Sequence, residues 1–199
     1  RYQQVRSHSG LTGAQTAQRI LSAAGIYDVT IVPISGSLTD HYDPRTRQLA
    51  LSQDVYGRNS VAAVCVAAHE CGHAIQHNVN YAPLNIRSAM VPAANIGSSL
   101  SWPIFVLGLI LSMPALVTAG IVLFSLAVIF QLVTLPVEFN ASSRALKMLE
   151  STGILNPEEN AGARKVLTAA ALTYVAALAS SVLQLLRLII LSGGRRRDD

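Results

Sequence analysis

The spacing of apolar positions changes several times along this chain. Leu11, Ile20 and Leu21 recur at helical intervals, Thr12 is a capping residue and Gly25 follows the last of them, so a helix is predicted over about 12–24. Residues 29–34 are rich in β-branched side chains, and 38–43 and 48–52 alternate on either side of the turn Asp43-Pro44-Arg45, which predicts a small β-meander. Asn59 or Ser60 then caps a helix that opens on Val61, Ala62, Ala63 and Val64 and continues to about His77. Beyond Arg87 the polar side of the pattern disappears. Residues 88–137 are 50 positions without Asp, Glu, Lys, Arg or His, and only a lipid environment makes such a run sensible. A bilayer core about 30 Å thick takes roughly 20 residues of helix, so the run predicts a hairpin of two spans, 91–112 and 115–135, broken at Ser112-Met113-Pro114. Pro103 and Pro136 mark kinks or ends. A third span is predicted over 166–191, with a small-residue face that includes Ala169, Ala176 and Ser180 for close helix packing.

Composition sharpens this picture. Apolar residues make up 51% of the chain and charged residues 13%, about half the usual charged fraction, which excludes a disordered protein and an ordinary soluble domain. The net charge of +4 sits near the ends of apolar segments and not in an aromatic-interleaved patch, so it signals membrane orientation and argues against nucleic-acid binding. Cys65 and Cys71 lie six apart on one predicted helix at opposing angles, a poor geometry for a disulfide and compatible with a reducing compartment. Cys71 is expected to face the core as an inert thiol. No internal repeat is visible.

The helix over about 60–77 carries the chemistry: His69-Glu70-Cys71-Gly72-His73, an H-E-x-x-H motif. Histidines at i and i+4 project from one face, so both imidazoles can reach one Zn²⁺, and the Glu beside the first can serve as general base toward water. The bland alternative is a helix with two incidental histidines. A catalytic zinc needs a third protein ligand. His77 lies about 12 Å along the axis from His69, too far to share the ion, and is assigned a supporting or interfacial place. The metzincin continuation is absent, so a carboxylate from elsewhere is required. Glu138 is the first charge after the long uncharged run, and a hairpin returns it to the level the chain left near Arg87; its alternatives are a helix cap or a partner for Arg144.

With the motifs His69-Glu70-Cys71-Gly72-His73-Ala74-Ile75-Gln76, Leu135-Pro136-Val137-Glu138-Phe139-Asn140-Ala141-Ser142, Leu38-Thr39-Asp40-His41-Tyr42-Asp43-Pro44 and Gly162-Ala163-Arg164-Lys165-Val166-Leu167, nearly the whole chain resembles the YugP-like neutral zinc metallopeptidases of bacterial membranes. Members usually begin with one more membrane helix, so the resemblance implies residues upstream of Arg1. The family is similar in layout to the heat-shock protease HtpX and the membrane CAAX proteases, where a Glu ligand is followed four residues later by an Asp that orients a histidine ligand. Here that position is Ser142, whose hydroxyl can bond an imidazole N–H less firmly than a carboxylate does, with Asn140 as the other group that could do so.

Other residues offer secondary roles. His41 and Tyr42 lie on a strand just before the active-site helix, where they either pack or contact substrate along a strand edge. Tyr174, in an alanine-rich span, either donates to an oxyanion or anchors at the interface, and Arg144 either neutralises Glu138 or binds a substrate carbonyl. Arg1, Arg6, Arg87, Arg144, Lys147, Arg164 and Lys165 fall on the side of the predicted site, against Arg195, Arg196 and Arg197 opposite, which favours a cytoplasmic active site in a multi-pass cell-membrane protein.

The expected architecture is therefore a mainly α membrane protein, a helical transmembrane bundle with a zincin-like active-site helix and a small β-sheet element. Its parts are a soluble portion over 1–87, the hairpin over 88–136, a connecting segment over 137–165 bearing the third ligand, the membrane helix over 166–191 and a basic tail over 192–199. One Zn²⁺ per chain, a protein or peptide substrate and the lipid bilayer are its expected partners. The rival from another class is a non-catalytic membrane scaffold with a structural zinc closed by a fourth protein ligand. A transporter is weaker still, because Arg187 is the sole ionisable residue inside the spans.

Overall fold

In the computed structural model, which describes residues 4–194, the chain forms two compact units. One combines the chain up to Tyr81 with Val137–Ala171; the other combines Ala82–Pro136 with the chain from Leu172 onward. The predicted basic tail falls largely outside the described residues, as does Arg1.

The first unit is built around a single helix. Thr12 caps α1 (Gly13–Ala23) through a reciprocal pair with Gln15, and the buried face Gly13, Thr16, Ala17, Ile20 and Leu21 follows helical spacing onto the core. Strands β1 (Thr30–Ile34), β2 (His41–Asp43) and β3 (Gln48–Ser52) follow, then the short α2 (Gln53–Tyr56) and the helix α3 (Val61–Asn78), whose cap Ser60 accepts a bond from the Ala63 N–H. Helix α3 is apolar around most of its girth, with Val61, Val64, Cys65, Ala67, Ala68, Cys71 and Ala74 in the core, and packs against α1, β2 and β3. A helix greasy on all sides must be enclosed, and this one is.

The sheet differs from the predicted meander. Its order is β1-β3-β2: β3 runs parallel to β1, with Thr30 opposite Gln48, and antiparallel to β2, with His41 opposite Ala50. Strand β3 is the most buried of the three and so takes the centre, leaving β2 as an edge. The predicted strand over 38–43 is correspondingly shortened to His41–Asp43. Leu38 adopts a left-handed φ of 59°, which breaks extended structure, and the Asp40 carboxylate turns inward to accept from the Ser52 backbone N–H at 2.7 Å and hydroxyl at 3.1 Å.

The second unit holds the membrane helices. Among the described residues three helices are long and apolar enough to cross a bilayer: α4 (Ala82–Ile110), α5 (Pro114–Ser151) and α6 (Pro157–Gly194). Ile110 and Ile190 are each 73% exposed and Leu183 68%, and apolar surface of that extent requires lipid. Ser112 at φ 51° makes the turn between α4 and α5, while Pro103 and Pro136 are accommodated within helices. All three helices continue past the apolar stretches. In α5 the continuation has a physical cause, since Val137, Ala141, Ala145 and Leu149, four residues apart, are fully buried in the first unit. Asn156 and Glu159 bond reciprocally to open α6, with Pro157 at its first position.

Both cysteines are free and buried. Burial, with a smaller effect from Glu159, pushes the Cys65 thiol up to about 12, and burial raises Cys71 well above the ordinary thiol range. Because the thiolate is the reactive form, native protein at pH 8 is expected to resist iodoacetamide for hours and to take up two labels per chain once unfolded, as intact mass would show.

Candidate metal centre

Two elements of the first unit supply the site. Helix α3 presents His69 and His73 from successive turns, their rings edge to face with centroids 4.9 Å apart. Helix α5 supplies Glu138, whose Oε2 lies 3.1 Å from His69 Nε2 and 3.6 Å from His73 Nε2. One ligand atom from each of the three residues lies within 4.8 Å of the others. Around a tetrahedral ion with bonds of about 2.0–2.1 Å, neighbouring ligand atoms stand roughly 3.3 Å apart, so these separations fit one metal ion. Glu138 is only 2% exposed, and an ionised carboxylate at that depth needs a counter-charge, which a divalent cation shared with His69 and His73 would supply. Two imidazoles and a carboxylate are also a donor set that suits zinc and leaves a coordination position open. Among the described residues this group numbers three.

The approach of α5 to α3 depends on Gly72. A Cβ there would collide with the Ala141 carbonyl oxygen and lie 3.1 Å from Ala141 Cα, so only glycine lets the two backbones meet beside the cluster.

Glu70 follows His69 directly and is 8% exposed. Burial raises its carboxyl above the usual range, opposed by His73 and His69 and reinforced by Glu138 and Asp40. At His73 burial acts to lower the imidazole, but hydrogen bonding to Glu138 and the nearby Glu70 and Glu138 charges raise it overall.

Around the cluster, Ser142 Oγ is 3.2 Å from His69 Nδ1. Arg144 does not turn to Glu138; its Nε donates to Asn140 Oδ1 at 2.7 Å and its guanidinium lies 5.9 Å from the Tyr81 ring centre. His77 lies outside the cluster of three, and its Nδ1 is 2.8 Å from the Tyr42 hydroxyl. Burial, and to a lesser extent Asp43, raises the Tyr42 phenol. His41 is exposed at the end of β2, with Nδ1 2.8 Å from the Thr39 carbonyl oxygen. Tyr174 belongs to α6 in the second unit and is 40% exposed. Gln76 was not among the residues singled out from sequence, yet it is fully buried, with Oε1 3.0 Å from His73 Nδ1. The signal that finds it is spacing: a polar residue at i+3 from one ligand and i+7 from the other continues their helix face.

Apolar membrane helices and a His-His-Glu cluster formed by the H-E-x-x-H helix and α5 define a membrane protein with a candidate metal centre. Residues 1–193 match the family described as "Putative neutral zinc metallopeptidase", and the chain belongs to that family. It is 49% identical over 191 residues to the "Putative membrane protease YugP" of Bacillus subtilis (strain 168), an alignment that covers 96% of this chain and 85% of that protein. No solved structure matches it.

Proposed function

We propose that this protein is a zinc-dependent metalloendopeptidase that hydrolyses peptide bonds of membrane or membrane-proximal proteins. The observation that carries the proposal is the cluster of His69, His73 and Glu138, with the buried Glu70 next to His69 in the chain. Zinc held by those three residues would supply Lewis-acid polarisation of the scissile carbonyl and activation of a water. Glu70, adjacent in sequence to a ligand and outside the ligand set, would accept a proton from that water and deliver it to the leaving amine. Ser142 would hold the His69 ring through Nδ1, and Ser142→Ala is expected to weaken zinc affinity about 10-fold, read by chelator competition.

The substrate would enter as an extended chain. Strand β2 is an edge of the sheet and packs against α3, so a peptide can add alongside it through backbone hydrogen bonds, with His41 nearby. A peptide N-methylated on one alternate set of backbone nitrogens is therefore expected to be cut at least about 10-fold more slowly than one methylated on the other set; equal rates would exclude strand pairing. Glu138 directly follows the 50-residue uncharged run, which favours substrates near the bilayer, and the excess of Arg and Lys flanking the membrane segments on that side supports a site on the cytoplasmic face.

A scaffold with a structural zinc would close its metal with a fourth protein ligand, whereas three ligands cluster here among the described residues. The deciding experiment incubates purified protein in detergent with membrane-protein fragments and maps new termini by mass spectrometry. Cleavage should stop with a chelator, return with zinc and be absent in Glu70→Gln. Absence of cleavage by the zinc-loaded wild type across a broad set of flexible fragments would favour the scaffold.

A further inference from the structure

Resting on the zinc assignment above, we infer that Gln76 is the positioning residue that fixes the tautomer of His73, and that its own orientation is dictated by the Val137 carbonyl together with a hydrogen-bond chain running through Asn140 to Arg144. His73 turns Nε2 toward the cluster, 3.6 Å from Glu138 Oε2, and Nδ1 toward Gln76 Oε1 at 3.0 Å. To offer a lone pair at Nε2, the neutral ring must carry its proton at Nδ1, and that proton needs an acceptor. A glutamine amide has an acceptor end and a donor end, so by itself it could stabilise either tautomer.

The surroundings remove that freedom. Gln76 Nε2 is 2.8 Å from the Val137 carbonyl oxygen, which can only accept, so the NH₂ end must face α5 and the oxygen must face His73. The same NH₂ lies 3.0 Å from Asn140 Oδ1. That oxygen is held in place by Arg144 Nε at 2.7 Å, and a guanidinium can only donate. One obligate acceptor and one obligate donor therefore give the whole chain a single polarity: Arg144 donates to Asn140, Gln76 donates to Asn140 and Val137, and His73 donates to Gln76. The lone pair of Nε2 is left for the metal. The same contacts tie α3 to α5 beside Glu138, so the ring is oriented by the helix that carries the third ligand. His69 lacks such a lock, because the Ser142 hydroxyl can either donate or accept.

The test is zinc affinity by chelator competition on the full detergent-solubilised chain, with ¹⁵N imidazole NMR of the zinc-loaded protein. Gln76→Leu should weaken zinc about 10- to 100-fold. Asn140→Leu removes one of the two acceptors of the Gln76 NH₂ and leaves the Val137 carbonyl, so it should weaken zinc in the same direction but less than Gln76→Leu, and Asn140→Asp, which keeps the acceptor, should recover most of that loss. In wild type the NMR should show His73 protonated at Nδ1 and bound through Nε2. Unchanged zinc affinity in folded Gln76→Leu and Asn140→Leu, or coordination through Nδ1, overturns the inference. If His73→Ala abolishes zinc binding while those two variants do not alter it, the lock alone has failed; if His73→Ala also leaves affinity unchanged, the metal assignment itself has failed.

Discussion

Glu70→Gln is expected to hold about one zinc per chain and to lose at least about 10²-fold in proteolysis, while His69→Ala, His73→Ala and Glu138→Ala lose the metal together with the activity. The separation follows from position. His69, His73 and Glu138 bring one atom each within 4.8 Å of one another, and Glu70, next to His69 in the chain, does not belong to the group. Replacing its carboxylate with an amide of nearly the same shape removes the proton acceptor and leaves the ligands undisturbed. Removing Glu138 has a second consequence, since it deletes the sole carboxylate of the ligand group from a 2%-exposed position and leaves two imidazoles to hold a dication. Metal analysis of purified variants alongside a peptide-cleavage assay distinguishes these outcomes, and stoichiometric zinc in Glu138→Ala would remove that residue from the ligand set. Bound zinc would also stabilise the fold by mass action, by about 2.7 kcal/mol at zinc 100-fold above its dissociation constant, so a chelator should lower the wild-type melting temperature and leave that of the His73→Ala variant unmoved.

The extent to which this protein can be read from its sequence varies with the range of the interactions concerned. Helix α1 with its Thr12 cap, α3 with Ser60 and the central strand β3 are all legible, because capping and periodicity are local properties. The H-E-x-x-H pair is legible for the same reason. The order of the sheet is not, since nothing within 30–34 or 48–52 says that these two segments pair in parallel while the intervening strand takes the edge. The early end of the predicted strand at Leu38 escapes detection because it is set by Asp40 reaching Ser52 across the turn. Charge alone locates the apolar spans, but the helices outrun them: the signal for continuation in α5 is the four-residue spacing of Val137, Ala141, Ala145 and Leu149, which points into protein and not into lipid. Glu138 can be proposed from its isolation in the sequence, whereas the contacts of Gln76 with Val137 and Asn140 exist only once α3 and α5 are side by side.

That juxtaposition makes Gly72→Ala, a single added methyl in the motif, destabilising and damaging to the cluster. On an isolated helix the substitution should help, by about 0.5–1 kcal/mol, because glycine is a poor helix former. Here the added methyl meets the Ala141 carbonyl oxygen and backbone, which cannot rotate away as a side-chain end would, so α3 and α5 must move apart. Overpacking of this kind costs typically about 1–3 kcal/mol, which outweighs the gain in propensity. The displacement also falls where it matters chemically. Ala141 is one helical turn beyond Glu138 and adjacent to Ser142, so separating the helices withdraws the third ligand from His69 and His73 and lengthens the Ser142–His69 contact together. Zinc affinity should therefore fall by more than the 10-fold expected for Ser142→Ala, with a lowered melting temperature, although every ligand is still present. A Gly72→Ala protein as stable as wild type and with unchanged zinc affinity would show that α3 and α5 do not approach as closely as the Gly72–Ala141 contact requires.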